Sequence, residues 1–454
     1  MTILKESPMR EGSLDAPTRH PLAWREESFY DATEIDKELR RVFDICHGCR
    51  RCFNLCDSFP RLFDLVDTSP TEELDGVKSE DFKPIVDACT LCDMCFLTKC
   101  PYVPPHEFNL DFPHLMLRYR AMEEKQGKVS FVDRQLAATD RNGKLASLAA
   151  PLANWATARD NTTVGPLLRK AADFHPDAEL PKFTAHKMTS ATAPAVNREA
   201  PGFGRKAVLY ATCFGDYNNP HIGADLRAVL ALNGVETEVL QPKCCGMPLL
   251  EQGRIAGVAA NAAVVAEAFG PWIDKGYDVI ALVPSCALML KFEWKLILPG
   301  DPAIEKLSKA TFDISEYIVD IAKKEGLTPG MKPVPGTLSV HMACHARAQN
   351  MGQKAAEMLR LIPDSDVKVI ERCSGHGGSW GFKKEWFDVA MKIGRPVARQ
   401  AAANGPGYVM SECPLAGVHI AQGIEKQTAE GPKPELVSHP VQLLARAYGM
   451  GTGS

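Results

Sequence analysis

The second half of the chain contains an internal repeat that is marked by cysteines. Three cysteines in one copy reappear about 130 residues later in the other, as Cys213, Cys244 and Cys286 and then Cys344, Cys373 and Cys413. Small loop deletions account for the drift of the offset from 131 to 127 residues. A repeat of this length indicates one folded unit that the chain uses twice.

Each copy alternates short apolar runs with helical patterns. The runs KAVLYATC at 206–213 and TLSVHMAC at 337–344 are typical of buried strands, and IGADLRAVLALNG at 222–234 is typical of a helix. Strands that alternate with helices indicate α/β units with a largely parallel sheet. We therefore expect two α/β domains, at 205–330 and 331–454, whose copies face one another.

Eight of the 15 cysteines lie in two dense runs between Cys46 and Cys100. The first run has the form C-x2-C-x2-C-x3-C and the second the form C-x2-C-x2-C-x4-C-P. Three thiolates at this spacing can surround one corner of a 4Fe–4S cluster, while the fourth reaches the neighbouring cluster in two-cluster ferredoxins. The pattern predicts two 4Fe–4S clusters. Their ligands would be Cys46, Cys49, Cys52 and Cys100 for the first cluster, and Cys89, Cys92, Cys95 and Cys56 for the second.

Two structural zinc sites are the alternative for these runs, because C-x2-C pairs also suit tetrahedral zinc. A zinc site does not need the third evenly spaced cysteine of each run, which favours clusters. Arg50, Arg51 and Lys99 either offset the negative charge of the clusters or are solvated surface charges. The pieces FDLVD and FKPIVDAC between the runs suit helices. An α-helical ferredoxin domain is therefore expected over 41–120.

The remaining segments complete an α+β multidomain chain. An N-terminal extension covers 1–40, and Ile35, Leu39, Val42 and Phe43 predict a short amphipathic helix that leads into Cys46. Residues 121–204 form a helical connector, broken at Gly and Pro, and then a linker. The connector carries no chemical motif. Its Trp155, like Trp380 and Trp386, is a candidate only for packing or interface contact.

Charge and hydropathy exclude several classes of function. The net charge of -4 argues against nucleic acid as a partner. The first 24 residues contain no apolar stretch of the kind that export signals need, which predicts a cytoplasmic protein with free thiols. The most apolar windows, 258–269 and 279–290, are shorter than the ~20 residues of a spanning helix. Nucleotide-binding glycine motifs are absent from the sequence, so any flavin would belong to a partner.

Three segments resemble a known family. YATCFGDYNNPHIGADL, QPKCCGMPLLEQG and VPSCALMLK resemble the cysteine-rich CCG domain of the B and D subunits of heterodisulfide reductase and of glycolate oxidase iron–sulfur subunits. The order of motifs over residues 40–449 most closely resembles the C subunit of anaerobic glycerol-3-phosphate dehydrogenase. In the family, each copy has a cysteine, then CCG, then C-x2-C.

The resemblance implies a metal centre in the first copy. That copy supplies Cys213, Cys244, Cys245 and Cys286, while Met289 replaces the last cysteine of the motif. Four thiolates suffice for a further 4Fe–4S-type cluster. The resemblance to heterodisulfide reductase leaves open whether this cluster is of the cubane or the non-cubane kind. Buried small cysteines without metal are the alternative.

The second copy departs further from the family pattern. It keeps Cys344, Cys373 and Cys413, but Ser374 and Ala416 replace the other two cysteines. The neighbouring residues His345 and His376 either complete a Cys3His site for zinc or iron or are hydrogen-bonded loop histidines.

These features predict an iron–sulfur electron-transfer subunit rather than a stand-alone enzyme, and no catalytic residue is assigned. The resemblance implies a flavin-containing dehydrogenase subunit as partner and quinone as an acceptor, with any membrane contact peripheral and at the inner face. One alternative is an enzyme that reduces a disulfide at a CCG-bound cluster. Another is a zinc-stabilised interaction scaffold.

Overall fold

The computed structural model describes residues 17–427 and 433–451. The chain divides into two compact units, Met1–Gln126 and Gly127–Ser454. Most of the segment in which the sequence shows no export signal, residues 1–16, lies outside the described residues. The finer domain boundaries drawn from the sequence remain predictions.

The first unit is helical. Its α-helices are α1 (Ala32–Cys49), α2 (Ser58–Asp67), α3 (Lys83–Ala88) and α4 (Phe112–Lys125). Helix α1 buries Ile35, Leu39, Val42 and Phe43, the face that the sequence predicts. The helix is 18 residues long rather than short, because it begins at the Asp31 cap and continues through the first two cysteines.

The second unit begins with the four helices of the connector. They are α5 (Phe131–Leu136), α6 (Thr139–Leu148), α7 (Ala150–Thr157) and α8 (Gly165–Ala171). Helix α6 contacts α7, and α7 contacts α8. Proline lies at the starts of both α7 and α8, where its missing N–H costs no helical hydrogen bond, and Gly165 begins α8.

The first repeat copy forms a four-stranded parallel sheet with strand order β2-β1-β3-β4. Its elements are β1 (Lys206–Tyr210), α9 (Thr212–Tyr217), α10 (Pro220–Leu232), β2 (Glu236–Leu240), α11 (Met247–Leu250), α12 (Ile255–Asp274), β3 (Asp278–Ala281), α13 (Pro284–Leu288), α14 (Trp294–Ile297), α15 (Pro302–Ala310), β4 (Thr311–Asp313) and α16 (Ile314–Lys324). The apolar runs become central strands that are buried on both faces, which explains their continuous hydrophobicity.

The second copy repeats this topology with strand order β6-β5-β7-β8, again parallel throughout. Its elements are β5 (Thr337–His341), α17 (Cys344–Arg347), α18 (Lys354–Leu359), β6 (Asp366–Ile370), α19 (Phe387–Ala403), β7 (Gly407–Ser411), α20 (Pro414–Gln427), β8 (Glu435–Val437) and α21 (Val441–Ala447). The expected pair of parallel α/β units is therefore confirmed.

The two copies exchange helical contacts. Helix α16 of the first copy packs on α18 of the second, and α21 of the second copy packs on α10 of the first. One continuous hydrophobic core contains side chains from both sheets, including Leu209 and Ile280 from one sheet and Val340 and Met410 from the other. Each copy therefore buries part of its apolar surface against the other, and the second copy has a further cluster of its own around Val397 and Ile420.

Helix α12 is the one helix in the described part of the chain that is long and apolar enough to cross a membrane. It has 20 residues and a mean hydropathy of 1.2, so it is longer than the apolar window that the sequence suggested. Helices in the core of globular proteins also reach this length and apolar composition. Its Ile255, Val258, Ala262, Val265 and Phe269 are buried at helical spacing.

Candidate metal centres

The first predicted cysteine set lies around one cavity of the N-terminal unit. Cys46 and Cys49 occupy the last turn of α1, which ends at Arg50 in a left-handed conformation. The chain then turns and presents Cys52, while Cys100 arrives after a π-helical turn at Cys95–Lys99. An open cavity is lined by Cys46, Cys49, Arg51, Cys52, Phe59, Lys99, Cys100, Pro101, Tyr102 and Leu110. The structure thus brings together the four cysteines that the spacing predicts.

The second predicted set also assembles. The thiols of Cys89 and Cys92 lie close enough to Cys56 to raise its pKa, in addition to the larger effect of burial. The loop from Cys89 to Cys95 has positive φ at Leu91 and Asp93, which lets it curve tightly. The two sets are neighbours, because Cys52 of the first set also contributes to the raised pKa of Cys95.

Burial and repulsion from neighbouring thiols raise the pKa of six of these cysteines, namely Cys46, Cys52, Cys56, Cys89, Cys95 and Cys100. Burial raises the pKa of Cys46 well above its usual range, and the adjacent thiols add to the shift. The pKa of Cys52 rises to about 12, mainly by burial, although Lys99 and Arg51 oppose the shift. Three of the four sulfur donors of the first set, Cys46, Cys52 and Cys100, have raised pKa, which fits a cationic iron core that supplies the missing positive charge.

The basic residues divide into two roles. Arg51 and Lys99 are exposed but line the cavity beside Cys52, so they can offset negative charge there. Arg50 instead forms an ion pair with Asp67. Sequence reasoning missed Arg120, which donates to the carbonyl of Cys89 and lowers the pKa of that thiol against the larger effect of burial.

The repeat cysteines follow the carboxyl ends of the parallel strands. In the first copy they come after β1, β2 and β3, and in the second copy after β5, β6 and β7. The carboxyl ends of parallel strands share one edge of the sheet, so residues that are distant in sequence converge there. This edge is where each copy collects its cysteines.

The first copy gathers four thiols in a largely buried site. The sulfur atoms of Cys213 and Cys244 are 4.0 Å apart, and those of Cys245 and Cys286 are 3.2 Å apart. Hydrogen bonds from the Cys213 and Cys245 thiols hold the pKa of Cys244 well below its usual range. The site therefore favours a thiolate at Cys244.

The backbone of the Cys244-Cys245 pair is fixed by buried donors. The indole N–H of Trp294 donates to the carbonyl of Cys245 at 3.1 Å, and the side-chain amide of Asn261 donates to the carbonyl of Cys244 at 3.1 Å. Gly246 has φ of +88°, and its N–H points at the Cys244 sulfur at 3.4 Å. Met289, at the position of the missing cysteine, is completely buried.

The second copy keeps the same local geometry with fewer thiols. The N–H of Gly375 points at the Cys373 sulfur at 3.3 Å, as that of Gly246 does at Cys244. A hydrogen bond from the Cys344 thiol lowers the pKa of Cys373 to about 7. Ser374 and Ala416 are buried, and Cys413 lies near Cys286 of the first copy.

Neither histidine completes a Cys3His site in this geometry. His345 Nδ1 is 2.8 Å from the Ser285 hydroxyl of the first copy. His376 is buried, its Nδ1 has no partner among the described residues, and burial lowers its pKa to about 3. Across residues 17–427 and 433–451, no three His, Cys, Asp or Glu side chains converge at the distances of a single metal ion.

Comparison with known proteins identifies the repeat. The family model of the cysteine-rich domain, CCG, matches residues 207–291 and 338–421. The chain carries two CCG domains. The matched ranges begin and end within the two α/β units and include all seven repeat cysteines.

Several curated proteins are similar over longer stretches. The C subunit of anaerobic glycerol-3-phosphate dehydrogenase from Escherichia coli K12 is 28% identical over 315 residues, which covers 69% of this chain and 76% of the relative. The B subunit of the CoM/CoB fumarate reductase from Methanothermobacter marburgensis is 26% identical over 276 residues, or 58% of this chain and 52% of the relative. Lactate utilization protein A from Bacillus pumilus is 27% identical over 187 residues, or 39% and 75%.

The connector contributes to the first CCG domain, which the sequence did not suggest. The Asp140 carboxylate accepts hydrogen bonds from the backbone N–H of Cys244 at 2.8 Å and from the Gln241 amide at 3.3 Å. Burial raises the pKa of Asp140. Thr139 lies beside the Cys213 and Cys244 sulfurs. Both residues lie outside the family match and in no motif, so no local sequence signal points to them.

Two buried carboxyl groups lie where the two CCG domains meet. Glu412 precedes Cys413, and Asp313 ends strand β4 of the first copy. Burial raises the pKa of Glu412 well above its usual range, and the nearby Asp313 adds to the shift. Burial likewise raises the pKa of Asp313 to about 6. Neither acid was singled out by the sequence.

Proposed function

We propose that this protein is a cytoplasmic iron–sulfur electron-transfer subunit that passes electrons between a partner dehydrogenase and an acceptor such as quinone. The observation that carries the proposal is the pair of interleaved cysteine sets in the N-terminal unit. Each set takes three cysteines from one run and the fourth from the other run, which is the ligand arrangement of two neighbouring 4Fe–4S clusters.

The ligand assignment follows the two sets. Cys46, Cys49, Cys52 and Cys100 would hold one cluster, and Cys89, Cys92, Cys95 and Cys56 the other. When bound, such clusters supply reversible one-electron chemistry. The chain would position the thiolates, exclude bulk water by burial, and offset negative charge with Arg51, Lys99 and Arg120.

The first CCG domain would hold a further iron–sulfur cluster. Its ligands would be Cys213, Cys244, Cys245 and Cys286, and the thiolate-favouring environment of Cys244 supports this assignment. The second CCG domain offers only Cys344, Cys373 and Cys413, an incomplete set for a cluster of its own. We assign its cysteines the weaker role of bordering the first centre, because Cys413 lies near Cys286.

The relatives support a partner subunit. Two of them are named as subunits of a dehydrogenase and of a reductase, and we extend that organisation to this chain. The chain has no nucleotide-binding glycine motif, so a flavin that delivers electrons would belong to the partner.

The test is anaerobic quantitation of iron, sulfide and zinc, combined with electron paramagnetic resonance. The wild type should show at least two reducible cubane clusters and one further signal. Cys245→Ser should abolish the further signal, whereas Cys373→Ser, at the position of the second CCG domain that matches Cys244, should change it only weakly. Signals unchanged in both variants would remove the CCG part of the proposal, and zinc without iron would replace it with a zinc scaffold.

The same preparation distinguishes a relay from a disulfide-reducing enzyme. A relay shows no turnover of disulfides or quinones with an artificial electron donor unless a partner subunit is added. Sustained disulfide reduction by the isolated chain, lost in Cys245→Ser, would assign the chemistry to the first CCG domain itself.

A further inference from the structure

The second CCG domain keeps one of the two thiol pairs that the first CCG domain has. In the first domain, neighbouring sulfur atoms form the pairs Cys213 with Cys244 and Cys245 with Cys286. Ser374 stands at the position that matches Cys245, so the second of these pairs has no counterpart in the other domain. The first pair does have a counterpart, because Cys344 and Cys373 are both present and are joined by a hydrogen bond.

The register of the sheet brings Cys344 and Cys373 together. Strands β5 and β6 are parallel, with His341 opposite Ile370, and the N–H of Met342 extends the ladder to the carbonyl of Ile370 at 3.0 Å. Each of the two cysteines follows the His341–Ile370 pair by three residues. Neighbouring strands lie about 4.8 Å apart, and a disulfide joins residues whose Cα atoms are about 4.4–6.8 Å apart. A disulfide can therefore form here without rebuilding the sheet.

The two sulfur atoms have different surroundings. The Cys373 sulfur accepts hydrogen bonds from the Cys344 thiol and, at 3.3 Å, from the backbone N–H of Gly375. The guanidinium of Arg347, at the end of α17, also favours a thiolate at Cys373. A thiolate beside a second thiol is typical of pairs in which one sulfur attacks an oxidant and the other resolves the product. The contacts assign the attack to Cys373 and the resolving role to Cys344.

The pair is more accessible than most of the first centre. Cys344 and Cys373 are half-buried, whereas three of the four thiols of the first CCG domain are buried. The pair also lies close to that domain, because α17, which begins at Cys344, packs on α13, which carries Cys286. Small reagents can thus reach a thiol pair that borders the first centre.

We propose that Cys344 and Cys373 form a redox-active dithiol, which a low-molecular-weight disulfide such as oxidised glutathione converts to an intramolecular disulfide. The Cys373 thiolate attacks one sulfur of the small disulfide, forms a mixed disulfide and releases one thiolate. The Cys344 sulfur, after losing its proton, attacks the Cys373 sulfur, closes the protein disulfide and releases the second thiolate. The released thiolates take up the two protons that the protein thiols have lost, so two protein thiols are oxidised and one small disulfide is reduced.

This inference goes beyond electron transfer by clusters and does not depend on which clusters the chain holds. The experiment is a titration of the full-length protein, purified anaerobically, in glutathione buffers that range from fully reduced to fully oxidised. Free thiols are trapped with N-ethylmaleimide before digestion with trypsin. Cys344 and Cys373 lie on separate tryptic peptides, 325–347 and 373–383, each with one cysteine. Mass spectrometry of wild type should find these peptides joined in oxidising buffers and separately alkylated in reducing buffers.

Two variants distinguish the attacking from the resolving sulfur. Cys344→Ser should stop at a mixed disulfide between Cys373 and glutathione, because the resolving sulfur is gone. Cys373→Ser should lose the joined peptides, and its Cys344 should form a mixed disulfide roughly tenfold more slowly than Cys373 does in Cys344→Ser. The matched control is Cys413→Ser, at the third cysteine of the same domain, which should still form the joined peptides.

Circular dichroism of each variant separates loss of the disulfide from loss of folding. Wild type that never yields the joined peptides would overturn the proposal, and so would a disulfide from either cysteine to Cys413. Alkylation of Cys344 and Cys373 only after a chelator has removed zinc or iron would replace the dithiol with a metal site. Iron-free protein that still forms the joined peptides would support the dithiol and contradict only the proposed electron transfer.

Discussion

The carboxylate of Asp140 accepts a hydrogen bond from the backbone N–H of Cys244 across 104 residues of sequence. This contact places a negative charge from the connector beside a candidate cluster ligand. A fixed charge next to a redox centre changes the free-energy difference between its oxidised and reduced forms.

Asp140→Asn should raise the midpoint potential of the first CCG centre. The amide keeps an oxygen acceptor for the Cys244 N–H but removes the negative charge. The reduced form of the centre carries one more negative charge than the oxidised form, so the substitution destabilises it less than the carboxylate does. The expected shift is on the order of 50 mV, equivalent to about 1 kcal/mol for one electron. Asp160→Asn, at an exposed position of the same connector, is the control for a redox titration monitored by electron paramagnetic resonance. Equal potentials for Asp140→Asn and wild type would show that Asp140 has only a structural role.

The proposal that each cluster takes its fourth cysteine from the other run can be tested directly. Cys100→Ser should remove the same resonance signal as Cys46→Ser, because both residues line one cavity. Cys56→Ser should instead match Cys89→Ser, with which it is grouped. Iron content should fall by about one cluster in each variant, as measured by anaerobic metal analysis. If Cys100→Ser matched Cys89→Ser, each run would hold its own cluster and the interleaved assignment would be wrong.

The glycine of the second CCG motif should be intolerant of a side chain. Gly375 has φ of +78°, and a Cβ there would lie 2.1 Å from the carbonyl oxygen of Ala390. Gly375→Ala should lower the free energy of unfolding by at least about 3 kcal/mol, by backbone strain and overpacking together. Gly276 has φ of +82° with open space around it, so Gly276→Ala isolates the backbone cost at about 1 kcal/mol. Equal losses in urea titrations would mean that the loop shifts to accommodate the methyl group.

His439 should make stability depend on pH. Burial lowers its pKa to about 3, and its Nδ1 accepts the backbone N–H of Val441, so the folded state holds it neutral. The unfolded chain binds a proton near pH 6.5, which means that this stabilisation is complete above that value and is lost as pH falls. Between pH 6 and 5 the slope contributed by His439 approaches about 1.4 kcal/mol per pH unit.

The measurement is the free energy of unfolding in urea from pH 7 to 5. The free energy of unfolding should depend less steeply on pH in His439→Gln than in wild type. The difference in slope should be at most that of one bound proton, about 1.4 kcal/mol per pH unit. His186→Gln, at an exposed position, should have the wild-type slope. A slope that His439→Gln does not change would contradict the assignment of that proton to His439.

The sequence predicted the local elements well, for physical reasons. The buried parallel strands leave continuous apolar runs, and the face of α1 leaves apolar residues at helical spacing. The end of α1 was less predictable, because the helix continues through Gly48 and the first two cysteines and ends at a left-handed Arg50. The spacing of the cysteines predicts both N-terminal sets, and the assignment of these cysteines as ligands stays a prediction.

The contacts between distant segments could not be predicted. Asp140 meets Cys244 because α6 packs on α9, which is a tertiary contact with no local pattern. The contact of His345 with Ser285 likewise depends on how the two copies pack.

Helix α16 packs on α18, and α21 packs on α10, so each half of the repeat supports the fold of the other. This support does not depend on how many cysteines either half carries. The second half keeps its fold although Ser374 and Ala416 stand where the family pattern has cysteines, since both positions lie at the carboxyl edge of its sheet. Deleting that half would strip the other of its covering helix and leave apolar surface in water. The second half, although it is two cysteines short of the family pattern, therefore still serves as the wall that keeps apolar side chains of the first half from water.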